Sequence, residues 1–347
     1  MDLSYYFKQA IERNASDLHL VEGSIPSLRI FGELIKLDES PIPLGELNYA
    51  VFNSLDKSTK ERFQRKRDLD LSMIFYGHRF RVNLHLQEGR VGLAARLVPN
   101  TIPEPSQIGF NEVIYSFTHL KDGLIIVTGP TGSGKSTTLA VMIDIINAER
   151  RSHIITIEDP IEFDFHDKQS IVEQRQIGRD TEGFASALKY ALRQDPNVIM
   201  VGEMRDLETV KAALTAAKTG HLVLATLHTS TAAETVERII DFFPVENQNQ
   251  IAHQLASVLR AVVAQQLLPR KNGGLVAARE VMINNSAIAN LIRGGKYEMI
   301  HNTLQTSHGE GMTTMNSSID ELHRKGEISL DVAKNRKRDM ETKSVYY

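Results

Sequence analysis

The 347-residue chain contains no cysteine. This absence excludes disulfide bonds, thiolate catalysis and zinc sites with cysteine ligands. A basic surplus is also missing, because the formal net charge is −3, and composition therefore gives no general case for nucleic-acid binding. The sequence has no run of about 18 apolar residues, and its charged N-terminus lacks a signal-peptide core, so we expect no membrane span. We therefore expect a cytoplasmic protein.

Two patterns of secondary structure divide the chain. Residues 1–98 combine an N-terminal amphipathic helix, short alternating strands and a helical segment around 46–65, which predicts an α+β module. Residues 99–110 carry three prolines and are interpreted as a linker. Residues 111–347 alternate apolar strands with helices, the pattern of βαβ units in a doubly wound sheet. Beyond residue 231 the pattern predicts mainly helices, one further strand in GLVAAREVMI and a polar, basic tail that is frayed or solvated.

The stretch GPTGSGKST at 129–137 matches G-x-x-x-x-G-K-[ST] between a buried strand and a helix. Glycines let backbone N–H groups curl toward phosphate oxygens, and the helix N-terminus adds a favourable dipole. Lys135 would contact the outer phosphates and Ser136 would ligate Mg²⁺. The segment therefore predicts binding of a nucleoside triphosphate, ATP, with Mg²⁺. Its candidate nucleotide-binding residues are Gly129, Pro130, Thr131, Gly132, Ser133, Gly134, Lys135, Ser136 and Thr137.

Carboxylates follow two other predicted core strands. Glu203 comes just after the strand in NVIMVGE, at the carboxyl edge where open α/β sheets bind ligands, and could hold Mg²⁺ directly or through water. In TIEDPIEF, Glu158, Asp159 and Glu162 surround Pro160, which predicts a turn that could aim one acid at an attacking water. The spacing does not choose among these three acids.

Two histidines and two arginines complete the candidates. His221 and His228 bracket the strand LVLATL, and as a pair beside a nucleotide they could sense its γ-phosphate, although histidines at strand ends are more often structural. Arg81 and Arg96 lie on separate predicted strands of the first module. Arginines on such surfaces are usually solvated, so the residues alone give only a weak indication of arginine fingers.

Several motifs together resemble the secretion-ATPase superfamily, and within it the branch of type IV pilus retraction ATPases (the PilT/PilU branch). They are GPTGSGKSTTLAVMID, ITIEDPIEF, GEMRDLETVKAALTAAKTGHLVLATLHT and RIIDFFP, with SDLHLVEG and GMTTMNSSIDEL near the two ends. The resemblance implies a PAS-like N-terminal domain (1–98), a RecA-like P-loop ATPase domain with C-terminal helices (111–347) and a hexameric ring.

The same resemblance implies roles for residues that match the family's motifs. It assigns the catalytic base to Glu162, the atypical Walker B glutamate to Glu203, the histidine box to His221 and His228, and the arginines that reach the phosphates to Arg81 and Arg96. Lys135 belongs to the Walker A motif.

One short stretch indicates the branch. SAIANLIRGG has a helical apolar face ended by two glycines, and residues 287–294 resemble a motif of the retraction branch, with Ala289 in place of an arginine and Gly294 in place of a glutamate. The resemblance implies that most assembly ATPases carry a tetracysteine zinc motif and an additional N-terminal domain. This sequence has no cysteine and begins at the PAS-like module. Both features favour retraction over a pilus-assembly or type II secretion ATPase, the alternative within the superfamily.

The resemblance also implies partners: a homo-hexamer, an inner-membrane pilus platform protein and a paralogous retraction ATPase, with the ring peripheral at the inner face of the membrane. A RecA-like nucleic-acid motor is a remote alternative, disfavoured by the charge and by the lack of a basic stretch with interleaved aromatic residues. A nucleotide-binding regulator with negligible turnover is a third, disfavoured by Glu162 and Glu203.

Overall fold

The computed structural model describes residues 1–30, 32–98 and 101–337. The chain divides into two compact units, Met1–Thr101 with Glu162–Asp164, and Ile102–Ile161 with Phe165–Tyr347. The division after Thr101 falls inside the predicted linker, in which Pro105–Ile108 forms a 3-10 turn. Of the predicted basic tail, residues 338–347 lie outside the described part of the chain.

The first unit is a six-stranded antiparallel sheet with three helices. Its strand order is β3–β2–β1–β6–β5–β4. The elements are α1 (Leu3–Glu12), β1 (Asp17–Val21), β2 (Ser27–Ile30), β3 (Glu33–Lys36), α2 (Glu46–Ser54), α3 (Lys57–Lys66), β4 (Asp68–Phe75), β5 (His78–Gln87) and β6 (Arg90–Leu97). In α1 the predicted apolar face is buried at Leu3, Phe7 and Ala10.

Two tight hairpins set the register of the last three strands. The loop residues Tyr76–Gly77 and Glu88–Gly89 all have positive φ, between +51° and +76°. Positive φ at both loop positions is the type I′ geometry that matches the twist of paired strands. Because a two-residue loop allows only one pairing register, each turn fixes which side chains of β4, β5 and β6 face one another.

The helical segment expected around 46–65 is two helices, α2 and α3. Leu55 and Asp56 separate them, and Asp56 accepts a hydrogen bond from the Thr59 backbone N–H at 2.9 Å, which caps the start of α3. Aspartate is a favoured N-cap residue, so Asp56 before Lys57 is a recognisable signal for a helix start. Apolar periodicity alone does not detect this signal.

The second unit is a seven-stranded sheet with helices on its faces. The strand order is β13–β12–β7–β11–β10–β8–β9, and every neighbouring pair is parallel except β12 with β13. The elements are α4 (Glu112–Phe117), β7 (Gly123–Thr128), α5 (Lys135–Glu149), β8 (His153–Glu158), β9 (Ile171–Gln176), α6 (Phe184–Ala191), β10 (Val198–Val201), α7 (Leu207–Lys218), β11 (Leu222–Leu227), α8 (Ala232–Asp241), α9 (Val245–Val258), β12 (Leu259–Pro269), β13 (Leu275–Ile283), α10 (Ser286–Arg293), α11 (Ile300–Thr306), α12 (Met315–Arg324) and α13 (Leu330–Arg336). Every residue of β7, β10 and β11 is buried, as expected of strands covered on both faces.

Two strands of this sheet differ from the sequence-based prediction. β12 was expected to be helical, and β9 was not expected. β12 follows α9 directly, with Leu259 alone as the C-cap, so no glycine or proline marks the change. The apolar run LRAVVAQQLL suits a buried helix or a buried strand equally well, and only its pairing with β7 and β13 decides between them.

The stretch SAIANLIRGG forms the predicted helix, α10. Asn285 caps it by accepting a hydrogen bond from the Ile288 N–H at 3.0 Å. Ile288 and Ile292 are buried, and the helix gives way to Gly294 and to Gly295, whose φ is +66°. In the described residues no helix has the length and apolar character needed to cross a bilayer.

Candidate functional site

The loop between β7 and α5, residues 129–134, is shaped by three glycines with positive φ, and we call it the phosphate loop. The angles are +145° at Gly129, +78° at Gly132 and +84° at Gly134, a region that favours glycine. A Cβ added to Gly129 would overlap the Gln265 carbonyl oxygen and the Ser133 hydroxyl. The chain therefore curls tightly over residues 129–134, and α5 begins directly after this loop, so the positive end of the helix dipole lies beside it.

Lys135 places its charge inside the loop. Its Nζ donates to the carbonyl oxygens of Gly129 at 2.9 Å and Pro130 at 3.1 Å, and the residue is buried. Ser136 and Thr137 are half-buried in the first turn of α5. One cation and two hydroxyls thus lie in the first turn of α5, directly after the loop, and with the backbone N–H groups of a helix start they form the donor set that holds phosphate and Mg²⁺.

A buried glutamine on β12 supports the loop from below. Gln265 is 2 % exposed; its Nε2 donates to the Ser133 carbonyl at 2.7 Å, and its Oε1 accepts from the Thr138 hydroxyl at 2.9 Å. One side chain therefore links the loop to α5. Because a buried amide without partners is costly, these bonds fix the loop relative to the sheet.

Arg279 extends this support toward the linker segment. It faces Gln265 across β12 and β13, and its Nε lies 3.4 Å from Gln265 Oε1 while Nη1 donates to the Gly109 carbonyl at 2.9 Å. Among the described residues Arg279 has no carboxylate partner. Burial lowers the pKa of Arg279 to about 10, which still leaves the guanidinium charged at neutral pH.

A cavity of about 190 Å³ opens beside the start of α5. Gly134, Thr137 and Thr138 form its phosphate-loop side. The remaining walls are mostly apolar, with Arg279 contributing a charge, and they come from the 3-10 turn and the β12–β13 hairpin: Gln107, Ile108, Gln265, Leu267, Leu275, Val276, Ala277 and Arg279. An apolar slot next to a phosphate loop is the kind of space that a nucleobase and ribose occupy.

Glu203 and His228 lie together at the edge of the sheet where β7 ends and the phosphate loop begins. We call this the loop's edge. The parallel strands β7, β11 and β10 end side by side, so residues just after them are neighbours. The Nε2 of His228 is 3.1 Å from Glu203 Oε1, and Arg205 Nε donates to Glu203 Oε2 at 2.7 Å. At the same edge Thr128 donates to the Thr229 carbonyl at 2.7 Å, which ties the strand before the loop to the segment after His228.

The three acids of TIEDPIEF occupy different surroundings. Glu158 is buried and accepts a hydrogen bond from the Thr156 hydroxyl at 2.7 Å. Asp159 is exposed, with its Oδ2 3.6 Å from Arg205 Nη1. Glu162 is exposed and belongs to the first compact unit. The structure thus separates acids that the spacing left equivalent, and Glu158 is the one held in the interior.

The two candidate arginines face each other on neighbouring strands of the first unit. Arg81 on β5 and Arg96 on β6 are register partners, and both are exposed. Arg96 Nε donates to Asp17 Oδ1 on β1 at 2.8 Å. Two guanidinium groups and one carboxylate therefore share one face of the antiparallel sheet.

A sequence model of the family described as type II/IV secretion system protein matches residues 106–330. The chain belongs to this family. It is 41% identical over 337 residues to the type IV pilus retraction ATPase PilT of Pseudomonas aeruginosa, covering 97% of this chain and 98% of that protein. It is 36% identical over 335 residues to the type IV pilus ATPase PilU of the same organism, covering 96% and 88%.

Two solved structures are similar to this chain. The crystal structure of the pilus retraction motor PilT with bound ADP has a TM-score of 0.92 at 44% identity and covers 98% of each chain. The Legionella pneumophila ATPase DotB has a TM-score of 0.84 at 29% identity and covers 95% of this chain and 93% of that one. The fold is that of a secretion ATPase, with an N-terminal domain and a sheet-based ATPase core, and the chain is an ATPase.

The structure does not bring His221 to the phosphate loop within this ATPase chain. β11 runs parallel to β7, with Leu222 beside Gly123 and Leu227 beside Thr128, so His221 precedes the strand and His228 follows it. Six strand residues rise by about 20 Å. The Nδ1 of His221 lies 3.0 Å from the Ala216 carbonyl oxygen at the end of α7. The expected histidine pair is therefore separated, and only His228 lies at the loop's edge.

Sequence reasoning missed Gln265, Arg279 and Asp17. The first two lie on a hairpin of which one strand was expected to be helical, so no pattern pointed to them. Asp17 stood in the quoted stretch SDLHLVEG, directly before an alternating strand, and its charge there was the available signal.

Proposed function

We propose that the chain is a ring-forming ATP-driven motor that retracts a type IV pilus. The observation that carries this proposal is the similarity to PilT over 97% of the chain, which includes the phosphate loop and the Glu203 edge. The ring is a homo-hexamer in the cytoplasm that engages an inner-membrane platform protein, and a paralogous retraction ATPase is a further partner.

In this proposal the phosphate loop holds ATP. Backbone N–H groups of residues 129–134 and the Lys135 ammonium bind the phosphates, and the cavity beside Thr137 takes the base and ribose. The oxygen donors Ser136 and Glu203 suit Mg²⁺, which prefers hard oxygen ligands and retains water molecules. Arg205 Nε donates to Glu203 Oε2 and so fixes the direction of that carboxylate. Mg²⁺, when bound, neutralises phosphate charge.

Hydrolysis needs a base for water and positive charge for the transition state. Glu162, which matches the family's catalytic base, takes the water proton; its carboxylate is exposed, whereas Glu158 is buried. Arg81 and Arg96, from the same or another subunit, stabilise charge on the transferring phosphoryl group. His228 holds Glu203 through the 3.1 Å contact and so senses changes at the phosphates. His221 lies at the opposite end of β11 from the loop within the chain, and its nucleotide contact stays a prediction.

The assigned base is tested by phosphate release from purified wild-type chain, Glu162→Gln and the control Glu182→Gln. Glu182 is an exposed glutamate with no assigned role. We expect Glu162→Gln to lose roughly 100-fold or more in turnover while it still binds ATP, and Glu182→Gln to match the wild type. Wild-type turnover in Glu162→Gln would remove Glu162 from the mechanism.

The direction of the motor is tested in cells. A deletion strain with surplus pili that do not retract supports retraction, whereas a strain without pili supports the alternative, an assembly ATPase. Complementation with Glu162→Gln should fail to restore retraction. If that variant restores it fully, retraction does not depend on this hydrolysis step.

A further inference from the structure

A row of charged side chains crosses the sheet of the first unit. The register places Arg29, Asp17, Arg96 and Arg81 on β2, β1, β6 and β5 opposite one another in turn, with Ser72 of β4 at the end. Directly opposed residues of antiparallel strands point to the same face. The row therefore carries three guanidinium groups and one carboxylate side by side.

The charge balance in this row is uneven. Opposed residues have Cα atoms only about 4.5–5.5 Å apart, and like charges at this spacing repel. The Arg81 side chain has no hydrogen bond or ion pair among the described residues, whereas the Arg96 side chain is held by Asp17 at 2.8 Å. Two neighbouring cations that remain exposed on one face suit an anion with several oxygen atoms.

Asp17 is built to hold a guanidinium. Its side chain is 12 % exposed, compared with 68 % for Arg96. The Ser16 hydroxyl donates to Asp17 Oδ2 at 2.8 Å, and Arg29 Nε lies 3.9 Å from that oxygen. Burial raises the pKa of Asp17, but the Ser16 hydrogen bond and the Arg96 guanidinium outweigh it and leave the pKa below its ordinary value. Asp17 is thus a fixed carboxylate, and Arg96 is the exposed group that it orients.

We propose that Asp17 is a positioning residue for ATP hydrolysis, which orients Arg96 beside Arg81 so that both guanidinium groups meet phosphoryl oxygens. This inference rests on the proposed function, in which the two arginines act on ATP. Asp17 holds Arg96 at Nε, and a guanidinium held there still carries four N–H groups on its terminal nitrogens. The two arginines have different parts: Arg81 supplies an uncompensated charge, and Arg96 supplies donors in a fixed direction.

The test uses the full-length chain and steady-state ATPase kinetics. We expect Asp17→Asn to lower kcat about tenfold and to change KM for ATP less than about twofold, since misdirecting one donor weakens the transition state more than substrate binding. Asp70→Asn, on the same sheet face of β4, is the matched control and should keep wild-type kinetics. Arg29→Gln removes the other guanidinium near Asp17 and should also leave kcat unchanged.

A double-mutant cycle separates positioning from a merely structural role. Asp17→Asn should lower kcat no further in an Arg96→Gln background, because the side chain that Asp17 orients is already gone. In an Arg81→Gln background it should lower kcat by the same factor as in the wild type. Equal costs in both backgrounds, or an Arg29→Gln loss as large as that of Asp17→Asn, would overturn the inference. Asp17→Glu retains the charge, and partial recovery of kcat is expected in that variant even if Asp17→Asn proves too unstable to assay.

The outcomes also distinguish this inference from the proposed function. If Arg96→Gln is impaired and Asp17→Asn is normal, the positioning role fails while the arginine mechanism stands. If Arg81→Gln and Arg96→Gln both turn over ATP like the wild type, the proposed role of the arginines fails, and the inference fails with it.

Discussion

Replacing Gln265 by methionine should loosen the phosphate loop without leaving a hole. Methionine has a similar volume, so the packing cost is small, but the buried hydrogen bonds are lost. The Ser133 carbonyl loses its donor, and Arg279 Nε loses its acceptor. Thr138 can turn its hydroxyl to the Gly134 carbonyl one helical turn back, so its loss is small. With about 1–2 kcal/mol for each of the two orphaned groups, the expected destabilisation is about 3 kcal/mol.

The neighbouring residue supplies a control for this variant. Gln266 is half-buried on the same strand, and within the described part of the chain its side-chain amide makes one hydrogen bond, a long 3.4 Å contact to the Arg336 carbonyl. Urea unfolding followed by circular dichroism measures stability, and hydrogen exchange of residues 129–138 reports on the loop itself. A fluorescent ATP analogue should bind Gln265→Met about tenfold more weakly, because the loop is no longer preorganised.

Two results would refute this reasoning. One is a stability of Gln265→Met within about 0.5 kcal/mol of Gln266→Met, the usual range of neutral substitutions. The other is unchanged hydrogen exchange over residues 129–138 together with unchanged nucleotide affinity. Either would mean that the loop keeps its shape without the glutamine.

Two further predictions concern backbone shape and charge. Gly129→Ala should lower the free energy of unfolding by about 3 kcal/mol or more, because its Cβ would overlap the Gln265 carbonyl oxygen. Gly132→Ala, whose Cβ meets no neighbour, should lower it by about 1 kcal/mol. Thermal unfolding measures both variants, and equal losses would contradict the overlap. The pKa of Asp17 is lowered in the folded chain, so its stabilisation is fully present above about pH 4 and is lost as pH falls through the lowered value. Urea unfolding of wild type and Asp17→Asn should therefore differ at pH 7 and converge in acid, and a difference independent of pH would count against the ion pair.

Features whose physical cause is local could be read from the sequence. The phosphate loop needs a buried strand, glycines that accept positive φ, a lysine and a helix start, and all of these lie within residues 123–137. The helix at Ser286–Arg293 likewise follows from its own apolar spacing, the Asn285 cap and the glycines after it. In these segments the neighbours along the chain decide the backbone conformation.

Pairing between distant segments could not be read in this way. Leu259–Pro269 became a strand because β7 and β13 offer it hydrogen bonds, and this pairing brings Gln265 under a loop more than 130 residues earlier in the chain. The two histidines of the expected pair lie apart within the chain for a related reason. Both residues flank one strand, but only the direction of β11 relative to β7 decides which of them reaches the loop's edge.

The sequence by itself determined that this chain carries a P-loop, which acids and arginines accompany it, and which family it resembles, since these depend on residue type and short spacing. Tertiary structure alone decided that Glu158 is buried while Glu162 is exposed, and that Arg81 faces Arg96. It also decided that Asp17 holds Arg96 from 79 residues away. The physical reason is that burial and charge pairing act through space, and strand register sets which side chains share that space.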